Sequence, residues 1–235
     1  MGRGTGLSCA PSVRERVAEV RGRIAQAAAR AGRRPEEVLL VGVSKRQPVD
    51  KLLEAHAAGV TVFGENYLQE AEGKVAALSD ATWHFIGGLQ GNKVKKAVSL
   101  FSCIQTVDSA RLAAEISRRA AEAGRTMPLL IEVNVGGEES KGGVDPEGLP
   151  GLVEAIGKMP NLALRGLMAI PPMTGDAEGS RPYFARLRTL LASVRGVAPG
   201  MTELSMGMSD DYETAIEEGA TMVRIGTALF GAREG

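Results

Sequence analysis

Residues 38–45 read Val38-Leu39-Leu40-Val41-Gly42-Val43-Ser44-Lys45, and Pro48 follows almost at once. An apolar, β-branched run of this length, stopped by polar residues, reads as a strand buried on both faces. Alternate residues of a strand share a face, so Val41, Val43 and Lys45 are expected on one side. The lysine then stands at the carboxyl end, where parallel α/β folds bind ligands. A lysine there is a candidate Schiff-base nucleophile, because burial favours the neutral amine. The plainer alternative is a strand-end lysine reaching solvent.

Working outward, the same alternation repeats along the chain. A helix is expected over residues 12–31, with Val13, Val17, Val20, Ile24, Ala27 and Ala28 at helical spacing. Ser12 and Glu15 have the spacing of a capping box, and Gly32 is a natural stop. After the first strand a helix is expected over 49–58, closed by Gly59. Further strands are expected at 60–63, 82–86, 101–107, 128–134, 162–170, 202–205 and 221–225. The helices between them fall near 68–78, 92–98, 109–123, 146–158, 181–194 and 210–218, with Asp210 as the cap of the last. Strand–helix alternation implies a parallel sheet with right-handed crossovers. Eight such units in about 200 residues match an α/β fold of one (β/α)8 TIM barrel, preceded by one extra N-terminal helix. An open doubly wound sheet is the runner-up, but Lys45-Arg46-Gln47-Pro48 lacks the glycine pattern of a dinucleotide site. Residues 1–10 are expected to be a flexible N-terminus and 11–235 a single domain.

Composition narrows the class. The chain has 235 residues, 44% hydrophobic, enough for a sizeable core. Lys+Arg and Asp+Glu are equal at 28 each, so bulk charge points to neither nucleic acid nor an anionic membrane. Two cysteines, Cys9 and Cys103, do not make a disulfide framework and suit a reducing compartment. The first ten residues lack a signal-peptide core, and no apolar run approaches the ~20 residues that span a bilayer. A cytoplasmic protein is expected.

On a barrel, the strand ends would gather Lys45, Asn66, His84 or Gly87, Asn134, 168–171, 205–209 and 224–227 on one rim. Loops after strands seven and eight commonly bind phosphate. Gly226 lets backbone approach closely, and Thr227 adds a hydroxyl. Ser205-Met206-Gly207-Met208-Ser209-Asp210 is a flexible turn leading into a helix N-terminus, which attracts anions. Each glycine is, taken singly, an ordinary turn, and each serine an ordinary cap. Together with Lys45 they favour a phosphate-bearing carbonyl ligand. Arg224 is either a structural ion pair with a barrel carboxylate such as Glu132 or a donor to a ligand ring nitrogen or phosphate. His84 reads as core packing and His56 as a solvated helix residue. No cluster has metal-ligand spacing.

Six stretches then carry a family resemblance: Val43-Ser44-Lys45, Phe63-Gly64-Glu65-Asn66-Tyr67-Leu68-Gln69-Glu70, Trp83-His84-Phe85-Ile86-Gly87, Leu167-Met168-Ala169-Ile170-Pro171, Leu204-Ser205-Met206-Gly207-Met208-Ser209-Asp210-Asp211 and Met222-Val223-Arg224-Ile225-Gly226-Thr227. In order and spacing, from about Pro35 to Gly231, the chain closely resembles the pyridoxal phosphate homeostasis proteins. Their fold resembles the N-terminal barrel domain of alanine racemase. The resemblance implies that Lys45 holds the vitamin B6 cofactor pyridoxal 5′-phosphate as a Schiff base. It further implies that Ser209, Gly226, Thr227 and backbone near Met208 bind the phosphate. Arg224 would face the pyridine nitrogen, and Asn66 would lie beside the cofactor. The chain departs from the family at Gly88 and Gly91, where the family carries a proline and a larger polar residue; Gly88 is expected to loosen that loop.

An arginine at the ring nitrogen leaves that nitrogen unprotonated and a poorer electron sink. Alanine racemase adds a tyrosine base from a second domain; this chain ends at Gly235, and Tyr67, Tyr183 and Tyr212 do not match that role. The resemblance thus implies a protein that carries or buffers pyridoxal phosphate and influences amino-acid and keto-acid balance, without robust turnover. Recipients would be pyridoxal phosphate-dependent apoenzymes, and the protein would be a monomer or weak homodimer. The alternatives are a weak amino-acid racemase or a Schiff-base lyase acting on a phosphosugar.

Overall fold

The computed structural model describes residues 10–138 and 142–232. Almost all of the expected flexible N-terminus, and residues 139–141 of the loop after the fifth strand, lie outside the described residues. Eight strands close into a parallel barrel in sequence order: β1 (Leu39–Val43), β2 (Val62–Glu65), β3 (Thr82–Phe85), β4 (Cys103–Val107), β5 (Met127–Glu132), β6 (Leu162–Met168), β7 (Glu203–Ser205) and β8 (Met222–Ile225). β8 pairs with β1, which completes the closure. The expected barrel and its extra helix, α1 (Val13–Arg30), are therefore both present.

Helix signals were faithful where a cap and an apolar stripe agreed. Ser12 and Glu15 form the reciprocal capping box, and Val13, Val17, Val20, Ile24, Ala27 and Ala28 are the buried stripe of α1. The outer helices are α2 (Val49–Ala57), α3 (Leu68–Ala77), α4 (Val94–Leu100), α5 (Ala110–Glu122), α6 (Leu149–Gly157), α7 (Ala177–Val194) and α8 (Tyr212–Glu217). A short α9 (Thr227–Phe230) follows β8, where the sequence had suggested only a loop. α7 begins four residues before its expected start, because the Asp176 carboxylate caps the Gly179 N–H at 2.8 Å, and Pro182 is carried inside the helix. The cap of α8 is Asp211 rather than Asp210.

Two apolar layers hold the barrel. Helices pack on its outside through one large cluster. Inside, Val41, Val62, Cys103, Leu130, Met168 and Met222 meet, with Leu39 against them. This interior plug leaves the polar residues to the carboxyl end. β5 and β6 shift register between Leu129↔Leu164 and Leu130↔Gly166, which makes exposed Arg165 the extra residue of a bulge. The shift brings Gly166 against Glu203 of β7.

Candidate functional site

β1 ends at Val43, so Lys45 does not continue the strand alternation. It sits in a turn closed by the Gln47 N–H on Ser44 O at 3.0 Å. The next residue, Arg46, has φ +56°, as at the third residue of a type II turn, a position that ordinarily takes glycine. Lys45 is half-buried. The turn lies beside the end of β2, since the Ser44 N–H and Oγ both donate to Gly64 O, at 2.9 and 3.1 Å.

The other side of β1 is β8. Val41 pairs with Arg224 and Gly42 with Ile225. One step on, a Cβ placed at Gly226 would lie 3.5 Å from Val43 Cβ. Lys45 and the 224–227 segment are thus neighbours on one rim. β7 adds the 205–209 turn: the Arg224 N–H donates to Gly207 O at 3.0 Å, and Gly207 takes φ +91°. The Met208 N–H is held by Asp211 Oδ1 at 2.7 Å, and Ser209 Oγ accepts from the Ala228 N–H at 3.2 Å. The β7 turn and the first turn of α9 are therefore tied together around Ser209, Gly226 and Thr227.

Asn66, directly after β2, closes the opposite side. Its backbone is pinned by Gly87, where a Cβ would lie 2.8 Å from Asn66 Cα. Its Nδ2 reaches Ile86 O at 3.5 Å, while its Oδ1 is buried without a hydrogen-bond partner among the described residues. Asn134 does not join the group. Its amide holds its own loop, through Glu138 O and the Gly137 N–H, each at 3.0 Å.

Arg224 is buried, and its guanidinium donates to Ser205 Oγ at 2.7 Å and Ala169 O at 2.9 Å. Of the two readings of Arg224, the direct ion pair with Glu132 is not formed; these two bonds stand in its place, and Glu132 acts on it through its field. Burial pushes Arg224 down to about 10, against the pull of Glu132 and Asp211. Burial likewise raises the Glu132 carboxyl, against the pull of Arg224.

From Arg224 a hydrogen-bond chain crosses the interior. Ser205 Oγ meets Gln105 Oε1 at 2.6 Å, and Gln105 Nε2 meets His84 Nδ1 at 2.9 Å. Arginine only donates, so the Ser205 hydroxyl must pass its hydrogen to Gln105, and Gln105 must donate to His84. His84 Nδ1 is then an acceptor, the imidazole is neutral, and its proton is on Nε2. Desolvation agrees with this assignment, pushing His84 down to about 4. A neutral base with a depressed folded-state pKa adds stability above its unfolded value near 6.5 and loses it as pH falls toward 4. The loss amounts to about 3 kcal/mol. Urea unfolding of wild type and His84→Asn at pH 7 and pH 4 measures it, since Asn keeps an acceptor but does not titrate. The acid-linked loss attributed to His84 is expected in wild type and absent from the variant.

Sequence reasoning missed Gln105 and Asp211. Gln105 was visible as a polar residue inside the apolar run Cys103-Ile104-Gln105-Thr106-Val107, but nothing local names its partners. His56, read as solvated, is bonded to Val60 O and Asp80, each at 3.0 Å. Gly88 and Gly91 have nothing within 4 Å of an added Cβ, so neither glycine answers a steric demand. Among the described residues no group of three or more His, Cys, Asp or Glu could hold a metal ion, and no helix is long and apolar enough to cross a membrane.

The rim therefore combines a primary amine, hydroxyls beside a tight glycine turn, and a buried cation. That set suits a small ligand with an aldehyde and a phosphate. Comparison with known proteins agrees. The profile of the alanine racemase N-terminal domain matches residues 18–234. The pyridoxal phosphate homeostasis protein of Pseudomonas aeruginosa is 49% identical over 225 residues, 95% of this chain and 96% of that protein. Its counterpart in Aquifex aeolicus is 48% identical over 223 residues, 94% of this chain and 98% of that protein. The structure of PipY from Synechococcus elongatus PCC7942 with PLP bound superposes with a TM-score of 0.82 at 39% identity, covering 94% of this chain and all of that one. Alanine racemase from Corynebacterium glutamicum, 16% identical with a TM-score of 0.66 over 94% of this chain and 62% of that one, shares the fold.

Proposed function

The chain belongs to the pyridoxal phosphate homeostasis protein family, and from that membership we propose that it binds pyridoxal 5′-phosphate (PLP) on its carboxyl rim through a Schiff base on Lys45. PLP supplies an aldehyde that condenses with a neutral lysine amine, with loss of water. The observation that carries the reading is the β1–β8 junction, which sets the turn bearing Lys45 beside Arg224, Gly226 and Thr227. The donor set fits the group. Ser209, Gly226 and Thr227 hold the phosphate, and the Met208 N–H joins them by leaving Asp211 Oδ1. The Arg224 guanidinium meets the ring nitrogen. Asn66 offers the buried Oδ1 acceptor, which has no partner among the described residues. Residues 11–235 act as one PLP-binding unit.

The protein carries or buffers PLP for apoenzymes, and so bears on amino-acid and keto-acid balance. Arg224 keeps its proton, so it donates a hydrogen bond to the ring nitrogen without protonating it, which disfavours carbanion chemistry. The names of the relatives point the same way, to homeostasis rather than to a reaction. Tyr212 is no candidate base, since its ring is buried with Arg23 5.4 Å above it. The proposed setting is the cytoplasm, where a free buried thiol such as Cys103 stays reduced, with the protein a monomer or weak homodimer.

Titration with PLP tests the reading. Wild type is expected to gain a band near ~420 nm that borohydride abolishes, and Lys45→Ala is expected to lack it. A chiral assay of the loaded protein is expected to show no interconversion of D- and L-amino acids. Clear interconversion would make it a racemase, and a band retained in Lys45→Ala would remove the lysine from its role.

A further inference from the structure

The turn that carries Lys45 is gripped by a buried ionic cluster on other elements. Lys74, in α3, is 6% exposed, and its ammonium donates to Ser44 O, Glu65 Oε1 and Glu70 Oε2, each at 2.7 Å. Those three bonds use every donor an ammonium has. Glu65, fully buried at the end of β2, accepts from the Asn66 N–H through its second oxygen at 2.8 Å. Glu70 Oε2 also accepts the Arg46 N–H at 2.8 Å. Three backbone groups are therefore fixed to one cation: the carbonyl before Lys45, the amide after it, and the amide of Asn66.

A buried ion cluster is a weak source of net stability, because desolvation offsets its attraction. Burial accordingly pushes the Glu65 carboxyl up even with Lys74 against it. What the cluster does supply is geometry. Arg46 holds a left-handed backbone, which a non-glycine residue keeps only where its surroundings over-determine it. The Glu70–Lys74 grip on both flanks of Lys45 is that surrounding.

We infer that Lys74, with Glu65 and Glu70, is the positioning group for Lys45, locking the Ser44–Arg46 turn and Asn66 in one frame so that the amine meets the cofactor aldehyde from a fixed backbone. The inference rests on the reading of Lys45 as the PLP lysine. It separates two parts of binding: capture of the phosphate and ring, which the β7 and β8 segments perform, and Schiff-base formation, which needs the aligned amine.

Glu70→Ala is the first test, because Lys74 keeps Glu65 as its partner and the Arg46 amide can turn to water. The second is Lys74→Met with Glu65→Gln, which removes both buried charges together. The probes are PLP and pyridoxine 5′-phosphate, which has an alcohol where PLP has the aldehyde. Both variants are expected to form the Schiff base about tenfold more slowly and to bind PLP about tenfold more weakly, the penalty of a misaligned nucleophile. In Glu70→Ala, which leaves the Glu65–Asn66 bond in place, affinity for pyridoxine 5′-phosphate is expected to stay at the wild-type value. Glu70→Gln keeps a neutral acceptor for Arg46 and Lys74 and is expected to restore most of the rate. Wild-type rates in both variants would overturn the inference, as would equal weakening of both ligands in Glu70→Ala, which signals general loosening. A reducible band in Lys45→Ala run alongside would instead overturn the reading of Lys45 itself.

Discussion

Arg224→Met is expected to destabilise the protein by about 3–5 kcal/mol, the usual result of removing one member of a buried charged network. The guanidinium is held by Ser205 Oγ and Ala169 O, and both sit in the buried interior. Without it, Ala169 O has lost a donor in a dry site, and desolvation of an unpaired acceptor is costly. The Ser205 hydroxyl then has no cation forcing it toward Gln105, so the polarity of the chain to His84 is no longer fixed. Glu132 loses the nearby positive charge that offsets its burial. Its carboxyl, already raised by burial, rises further. A carboxyl whose folded-state pKa lies above its unfolded value favours folding at low pH and loses that contribution as pH rises through the folded value. The deficit of the variant is thus smaller at pH 5 than at pH 8. Urea midpoints at the two pH values test both parts. A variant within about 1 kcal/mol of wild type, outside the range for broken buried networks, would mean that the guanidinium does not organise the interior.

Gly166→Ala is expected to cost roughly 3 kcal/mol or more, through forced overpacking against backbone. A Cβ there would lie 2.6 Å from Glu203 C and 2.8 Å from Glu203 N. These are main-chain atoms of the paired strand, so no side chain can swing aside. The pair must separate, and β7 carries Ser205, which anchors Arg224. The defect therefore reaches the rim, and PLP affinity is expected to fall with stability. Gly22→Ala is the matched control. Gly22 lies inside α1 with nothing within 4 Å of an added Cβ, and alanine there is expected to stabilise by about 1 kcal/mol. Thermal unfolding of the two variants should move in opposite directions.

The barrel was legible because its signals repeat. Each apolar run is short, each is followed by a capped amphipathic helix, and eight such steps admit few topologies. The boundaries moved where a buried polar residue looked like a loop. β2 was expected at 60–63 and lies at Val62–Glu65, since Gly64-Glu65-Asn66 reads as a turn. Lys74, nine residues later and on another element, supplies the charge that makes Glu65 tolerable in a strand. α9 was missed because Gly226-Thr227 reads as a phosphate loop, and a single helical turn has no periodicity to detect.

The rim was legible for a different reason. In a parallel barrel every strand ends on the same face, so listing strand ends lists the candidates. That placed Lys45 with Arg224, Gly226, Thr227, Ser209 and Asn66, but it also admitted Asn134, which only braces its own loop. The supports behind the rim were not legible. The Lys74 cluster joins residues 44, 46, 65, 66, 70 and 74, and the Arg224 chain joins 224, 205, 105 and 84. Of these contacts only Glu70–Lys74, four apart on one helix, has a local sequence signal. The others depend on which strands the barrel sets side by side.

The most direct test of the account is the site of covalent attachment. Wild-type protein is mixed with PLP, reduced with borohydride, digested and read by fragment mass spectrometry. The account predicts one pyridoxylated residue, Lys45, at near-stoichiometric yield. Label on another lysine in place of Lys45, such as Lys51 or Lys74, or no label at all, would contradict it.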